Sequence, residues 1–217
     1  MAIKAFLFDL NGTMIDDMQY HITAWHQILN KLGANLTIER VKEECYGKNH
    51  ELLERIFPGR FSAEEKDAMS YAKEEAYQQT YKPLLQLIPG LDDFLAAAHG
   101  QSIKMAIGSA AIMFNINFVL DNLSLHPYFP VIVSADDVEK SKPHPETYLK
   151  CAAALNVLPE ECIVFEDALK GVESAANAGM QSVVLKTVHQ QYEFSAYNNI
   201  ISFIDDYRQL DIKSIIA

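Results

Sequence analysis

Five or six short apolar runs recur along this 217-residue chain and constrain its fold more than any other feature. They lie at Ile3 to Leu10, Ile103 to Ser109, Val131 to Ser134, Ile163 to Phe165, Ser182 to Leu185 and Ile200 to Ile204. Most lack polar alternation, which is typical of parallel strands buried on both faces. Helical stretches lie between the later runs, at Leu91 to Ala98, Ile112 to Leu120, Pro145 to Leu155 and Gly171 to Ala178. The alternation predicts an α/β fold with a doubly wound parallel sheet and right-handed crossovers.

The stretch from about Asp17 to Tyr81 has a different pattern. Its apolar residues recur at helical spacing, and none of its segments has the pattern of a strand. We therefore predict an all-helical domain of residues 17–81, inserted after the first strand of a core domain made of residues 1–16 and 82–217. The chain length agrees, since 217 residues correspond to about 1.4 domains of typical size.

Composition narrows the possible partners and the cellular location. The chain carries 18 basic and 29 acidic residues, a net charge of −11, without a basic cluster, so we expect no nucleic-acid partner.

Three cysteines without a CxxC pair indicate reduced thiols in a cytoplasmic protein. Asp9 interrupts the N-terminal apolar run, and no run reaches the ~18 apolar residues of a membrane span, so we expect neither a targeting segment nor a membrane partner. Oligomeric state stays open, and a monomer is compatible with the sequence.

Polar residues end several of the apolar runs, where parallel sheets bind their ligands. Asp9 follows the first run, Ser109 the second, and Glu166 and Asp167 the fourth, while Lys142 precedes a helix entered through two prolines. Taken singly, each has an ordinary interpretation as a turn residue, a helix cap or a solvated acid. Together they offer a nucleophilic carboxylate, acids for a divalent cation, and a hydroxyl and an ammonium for a phosphate.

In this order, the four segments resemble the four motifs of the haloacid dehalogenase (HAD) superfamily over nearly the whole chain. The helical insertion is similar to the small cap of the β-phosphoglucomutase-like branch, because Asp16 to His21 and Ala24-Trp25 look like the start of that cap. Gly171 and the segment Ala175 to Met180 resemble the helix that follows the fourth motif. The resemblance implies a HAD-like, Rossmann-type core with a helical cap.

By this resemblance Asp9 attacks phosphorus and forms an aspartyl-phosphate, which water then hydrolyses. The resemblance also implies a Mg²⁺ ion held by Asp9, Asp167, the backbone carbonyl of Asn11 and Glu166. Ser109, Ala110 and Lys142 would bind the transferring phosphoryl group, and Lys142 would offset the repulsion between Asp9 and the substrate.

Closure of the cap would exclude water and set specificity. Candidate substrate-binding residues there are His21, Trp25, Lys48 and His50. Two of them also have a purely structural interpretation. His21 could be a hydrogen-bonded hinge residue of the cap, and a single Trp25 at helical spacing is typical of the core of the cap.

Asn11 departs from the family pattern, which has a second Asp at this position. That carboxyl protonates the leaving oxygen and then activates the attacking water, and a carboxamide has no proton to exchange near neutral pH. The loss corresponds to roughly 10² to 10⁴ in rate. Several interpretations remain open: a slow phosphatase for substrates with good leaving groups, proton transfer by His21 instead, a binding protein that kept the fold, or a chain from which the acid was deliberately removed.

A second departure concerns mutase activity. His50 stands where β-phosphoglucomutases carry an Arg for a distal phosphate, and Ser109 is followed by Ala110 and Ala111 instead of polar residues. An apolar surface cannot hold a dianion without a large desolvation cost. We therefore expect Mg²⁺-dependent hydrolysis of a small phosphorylated metabolite such as a sugar phosphate. The alternatives are a β-phosphoglucomutase and a catalytically impaired metabolite-binding protein.

Overall fold

The computed structural model describes residues 2–216, and its centre is a parallel β-sheet. Its strands are β1 Ala5–Phe8, β2 Lys104–Gly108, β3 Val131–Val133, β4 Cys162–Glu166, β5 Gln181–Leu185 and β6 Ile200–Ile204. They lie in the order β3-β2-β1-β4-β5-β6, and all neighbours are parallel. This arrangement confirms the predicted doubly wound α/β fold.

The helices in the described residues are α1 Met18–Lys31, α2 Ile38–Glu44, α3 Asn49–Ile56, α4 Ala63–Tyr81, α5 Leu91–Gly100, α6 Met113–Leu123, α7 Glu146–Leu155, α8 Leu169–Asn177 and α9 Ile212–Ile216. The four helices predicted between the later strands are present as α5 to α8. The helix expected from Gly171 begins earlier, at Leu169, and Gly179 follows its end with a positive φ of 76°.

Strand β1 shows why the apolar runs do not alternate, since both of its faces are buried. Ala5 and Leu7 pack into one cluster with residues of α7 and α8, including Cys151 and Ala175. On the opposite face, Phe6 stacks on Phe94 of α5 with ring centroids 5.5 Å apart. Successive side chains of a strand point to opposite faces, so helices on both sides of the sheet require apolar residues at every position of its central strand.

Residues Asp17–Leu85 form a compact unit separate from the unit of residues 1–16 and 86–217. We call the first the helical unit; it contains α1 to α4, and its core includes Trp25, Leu29 and Leu53. Ser62 caps α4 by accepting a hydrogen bond from the backbone N–H of Glu65 at 3.2 Å. The sequence places the domain boundary after residue 81, but residues 82–84 continue as a 3₁₀ turn, and the unit extends to Leu85.

Between residues 2 and 216, no helix has both the length and the apolar character that crossing a bilayer requires.

Candidate active site

The register of the central strands aligns the predicted site residues at one edge of the sheet. Phe8 lies opposite Ile107 of β2 and Phe165 of β4. The carboxyl ends of β1, β2 and β4 are therefore aligned, and the residues that follow them lie at the same edge of the sheet. The backbone N–H of Asp9 bonds to the carbonyl of Phe165 at 3.0 Å, which continues the ladder one residue past β1. Asp9, Ser109 and the pair Glu166-Asp167 therefore stand at the carboxyl ends of three adjacent strands.

Lys142 joins two of these strand ends. Its Nζ donates to Asp9 Oδ1 at 2.6 Å and to Glu166 Oε1 at 2.7 Å, and all three side chains are buried. Burial acts against the charge of the ammonium, but Asp9 and Glu166 outweigh it and raise the pKa of Lys142 above its ordinary value. Lys142 therefore stays charged and holds the Asp9 carboxyl in place.

Asp9, Glu166 and Asp167 form an acidic cluster that could hold a metal ion. Each offers a carboxylate oxygen, and these oxygens lie within 4.8 Å of one another. Burial, followed by the charges of Glu166 and Asp9, raises the pKa of Asp167 well above its usual range, although Thr13 donates to its Oδ1 at 3.1 Å. The site holds more negative charge than Lys142 neutralises, and its oxygen donors match those of a hard divalent cation, so the residues fit Mg²⁺.

Glu166 accepts more hydrogen bonds than its sequence motif indicates. Its Oε1 accepts from Lys142 and from the hydroxyl of Tyr148 at 2.7 Å, and its Oε2 accepts the backbone N–H groups of Asp167 and Ala168, each at 3.0 Å. An ionised carboxylate has about four acceptor sites, so these donors use all of them. A metal ion could bind Glu166 directly only by displacing one of the donors.

Two glycines leave room for the carboxyl groups. Gly12 has a φ of +79°, and a Cβ there would collide with Oδ2 of Asp167. A Cβ on Gly171 would collide with Oε1 of Glu166. The acidic cluster therefore requires glycine at both positions, and at Gly12 the positive φ favours glycine as well.

Ser109 is buried at the end of β2, and its neighbours enter helix α6. Its Oγ accepts the backbone N–H of Ala111 at 3.2 Å, a contact that uses the hydroxyl oxygen and leaves its proton as a donor. Ala110 is half-buried between them. The N–H of Met113, the first residue of α6, already bonds to Asp136 Oδ2 at 3.0 Å.

Asn11 lies in the turn that leaves β1 and is half-buried. Asn11 and Ile15 form an isolated bridge, and the N–H of Gly12 bonds to the carbonyl of Ile15 at 2.8 Å. Thr187 Oγ1 donates to the carbonyl of Gly12 at 2.7 Å, which ties the turn to the segment after β5. The carboxamide therefore belongs to a fixed turn beside Asp9.

His21 belongs to a second buried cluster of charged residues, inside the helical unit. Lys73 Nζ lies 2.5 Å from His21 Nδ1, and Asp17 Oδ2 lies 3.2 Å from His21 Nε2. Because an ammonium only donates, Nδ1 accepts, and Nε2 carries the proton that it donates to Asp17. Tyr77 stacks on the imidazole and also donates to Asp17.

Glu74 completes this cluster. It accepts from Lys73 Nζ at 2.9 Å and from Asn49 Nδ2 at 3.0 Å, and it is buried. Burial opposes its charge, but the charge of Lys73 and the hydrogen bonds from Asn49 and Lys73 outweigh burial and hold the pKa of Glu74 below its usual value. The ammonium of Lys73 thus forms its hydrogen bonds with His21 and Glu74, which both belong to the helical unit.

The other three candidates of the helical unit lie in different surroundings. Trp25 is 2% exposed and packs in the hydrophobic core of the unit, the placement that the alternative interpretation predicts. Lys48 is half-buried, and its backbone N–H bonds to Glu51 Oε2 at 3.0 Å. His50 Nε2 lies 2.8 Å from Asp67 Oδ1 near the surface.

The sequence did not identify several residues that belong to or contact the two buried clusters of charged side chains. Thr13 stands within the first motif but received no role there, and Tyr148 follows Lys142 by six residues on an apolar helix. Only the proximity of Tyr148 to the proline-rich entry of α7 could have drawn attention to it. Lys73 and Glu74 lie on a long polar helix, where a charged pair ordinarily indicates a solvated face.

The sheet topology and the acidic cluster define a class of enzyme, and comparison with known proteins agrees. Residues 6–185 match the haloacid dehalogenase-like hydrolase family. The chain belongs to this family and is an enzyme of the HAD hydrolase type.

Two relatives and one solved structure show which kinds of protein within this family the chain resembles. It is 30% identical to a fructose-1-phosphate phosphatase of Escherichia coli, over 82% of this chain and 93% of that protein. It is 32% identical to a β-phosphoglucomutase of Bacillus subtilis, over 83% of this chain and 82% of that protein. The crystal structure of β-phosphoglucomutase from Clostridium difficile superposes with a TM-score of 0.85 at 31% identity and covers 98% of this chain and 95% of that one.

Proposed function

We propose that the protein is a Mg²⁺-dependent phosphatase that hydrolyses a small phosphorylated metabolite, such as a sugar phosphate, through an aspartyl-phosphate at Asp9. One observation carries the proposal. Lys142 holds Asp9 at 2.6 Å inside a buried cluster of carboxyl groups at the carboxyl edge of the sheet. This arrangement presents an ionised carboxylate, a fixed cation and oxygen ligands at one point.

In the first half-reaction, Asp9 attacks phosphorus while Ser109 and Lys142 hold the phosphoryl oxygens. A bond forms between a carboxylate oxygen and phosphorus, and the ester P–O bond breaks, so the alkoxide leaves and takes a proton from solvent. The ammonium of Lys142 reduces the repulsion between the carboxylate and the anionic substrate. In the second half-reaction, water attacks the phosphorus of the aspartyl-phosphate and loses a proton to solvent, the bond between phosphorus and the Asp9 oxygen breaks, and inorganic phosphate leaves with the Asp9 carboxylate restored.

Mg²⁺ would be held by Asp9, Asp167 and the backbone carbonyl of Asn11, with Glu166 adding its charge beside them. When bound, it neutralises charge on the phosphoryl oxygens and fixes the line of attack. Thr13 supports this ligand set by holding the Asp167 carboxyl.

Asn11 slows both half-reactions, because its carboxamide can neither protonate the leaving oxygen nor take a proton from water. The expected cost is roughly 10² to 10⁴ in rate, so esters with acidic leaving alcohols should react fastest. We do not assign the missing proton transfer to His21. Both of its ring nitrogens are engaged, by Lys73 and by Asp17.

The substrate class follows from the relatives. Similarity to a fructose-1-phosphate phosphatase over most of both chains supports a phosphorylated sugar or polyol as substrate.

A β-phosphoglucomutase is the second candidate, favoured by identities of 31–32% to two proteins of that name. The contact of His50 with Asp67 and the apolar residues after Ser109 weigh against a distal phosphate site. Conversion of β-glucose 1-phosphate in the presence of a sugar bisphosphate primer would overturn our ranking.

The proposal is tested by a Mg²⁺-supplemented screen of sugar phosphates and of an ester with a good leaving group. We expect Asn11→Asp to raise kcat by about 10² to 10⁴ over the parent, because it restores the acid. Asn198→Asp, which adds the same charge at an exposed position, is the matched control. Brisk turnover by the parent with no gain in Asn11→Asp would refute our account of Asn11. Metabolite binding without turnover in both proteins would support the binding-protein alternative instead.

A further inference from the structure

Tyr148 lies beneath the site on α7 and is completely buried. Its hydroxyl donates to Glu166 Oε1 at 2.7 Å. Lys142 Nζ bonds to the same oxygen at 2.7 Å and lies 4.7 Å from the centroid of the Tyr148 ring. One side chain therefore contacts both members of the Lys142–Glu166 ion pair, through its hydroxyl on one side and its ring face on the other.

The surroundings of Glu166 fix its carboxylate, so the tyrosine hydroxyl directly affects the one oxygen that Lys142 also contacts. Its Oε2 is held by the backbone N–H groups of Asp167 and Ala168. On the other side, Gly171 lies so close to the carboxylate that a Cβ would overlap it. The carboxylate cannot rotate without losing a backbone hydrogen bond, so Oε1 alone is shared, between an ammonium and a phenol.

We propose that Tyr148 is a positioning residue that keeps the ammonium of Lys142 directed at Asp9 and at the phosphoryl group. The tyrosine O–H takes part of the negative charge of Glu166 Oε1, which limits how strongly Glu166 draws Lys142. The ring face stabilises the ammonium on the side away from solvent. Lys142 thus remains shared between Glu166 and Asp9.

Loss of the hydroxyl changes this balance. Without it, the charge of Oε1 is met by Lys142 alone, so the ion pair tightens and the ammonium moves toward Glu166 and away from Asp9. The inference rests on the proposed role of Lys142 in holding the phosphoryl group.

The test is Tyr148→Phe, which keeps the ring and removes only the hydroxyl. We measure affinity for tungstate, a tetrahedral oxyanion, by calorimetry in the presence of Mg²⁺, and kcat and KM for a phosphate ester. We expect tungstate affinity to fall about tenfold and KM to rise by a similar factor, since the ammonium that binds the anion is displaced. Tyr197→Phe, which removes a hydroxyl bonded to Glu173 outside the site, should change neither.

A second variant separates positioning from stability. In a Glu166→Gln background the charge that competes for Lys142 is gone, so adding Tyr148→Phe should weaken tungstate binding by less than about twofold more. Fully additive losses, or a Tyr148→Phe protein that binds tungstate as the parent does, would overturn the inference, as would a parent that does not bind tungstate. Because tungstate binding requires no turnover, a Tyr148-dependent affinity in a protein that hydrolyses no ester would refute the proposed function and leave the inference intact.

Discussion

Among residues 2–216, two buried groups of charged side chains are built from similar residues but differ in their balance of charge. The sheet-edge cluster consists of Asp9, Lys142, Glu166 and Asp167. The helical-unit cluster consists of Asp17, His21, Lys73 and Glu74.

Charge balance distinguishes the two clusters. At the sheet edge one ammonium faces three carboxyl groups, and the pKa of Asp167 is raised well above its usual range by burial and by its acidic neighbours. In the helical unit one ammonium, that of Lys73, faces two carboxyl groups; it helps hold the pKa of Glu74 low despite burial, while Asp17 accepts hydrogen bonds from His21 and Tyr77. A buried excess of negative charge is costly and is relieved by a cation, whereas a compensated pair needs no ligand. The balance of charge, more than the residue types, therefore separates a candidate metal site from a structural network.

The largest stability effect should come from breaking the Lys73–Glu74 pair of the helical-unit cluster. Lys73→Met removes its ammonium and leaves Glu74 buried without a cation, so we expect the free energy of unfolding to fall by about 3–5 kcal/mol. Urea denaturation measures the loss. Lys66→Met on the same helix breaks a partly exposed pair with Glu54 and should cost at most about 1 kcal/mol. Equal losses in both variants would show that the helical-unit cluster contributes no more than a surface pair.

Mg²⁺ should stabilise the protein through the sheet-edge cluster. At a hundredfold excess over its Kd, a ligand that binds only the folded state adds about 2.7 kcal/mol to the free energy of unfolding. We expect this gain in the parent, its loss after chelation, and its loss in Asp167→Asn. Glu74→Gln in the helical unit should retain the gain. The contrast between the clusters fails if Mg²⁺ stabilises Asp167→Asn as much as it does the parent.

The smallest effect should come from the space around Glu166. Gly171→Ala forces a methyl group into the Glu166 carboxylate, and overpacking of this kind costs about 1–3 kcal/mol. Gly100→Ala is the matched control, because its Cβ would meet no atom within 4 Å. The denaturation midpoint should drop only in Gly171→Ala. If both variants unfold at the same midpoint, the glycine is not required by the carboxylate.

The sequence predicts the sheet and the strand-end residues because both depend on local signals. Apolar runs such as Phe6 to Phe8 mark strands buried on both faces, and a polar residue such as Asp9 marks the end of a strand. The roles of Tyr148 and Lys73 could not be predicted, because they depend on how α7 and α4 are rotated about their axes. Periodicity shows which face of a helix is apolar and does not show which atom of Glu166 a tyrosine hydroxyl reaches.

The central claim is that Asp9 carries the phosphoryl group, and mass spectrometry of the protein quenched in acid during turnover tests it most directly. With an ester whose good leaving group needs no proton, Asn11 slows only the attack of water, so we predict that the parent, mixed with Mg²⁺ and this ester, accumulates one phosphoryl group on the peptide containing Asp9. Asn11→Asp should accumulate less, and Asp9→Ala none. Ester hydrolysis by the parent without any phosphorylated Asp9, or unchanged turnover in Asp9→Ala, would contradict the account.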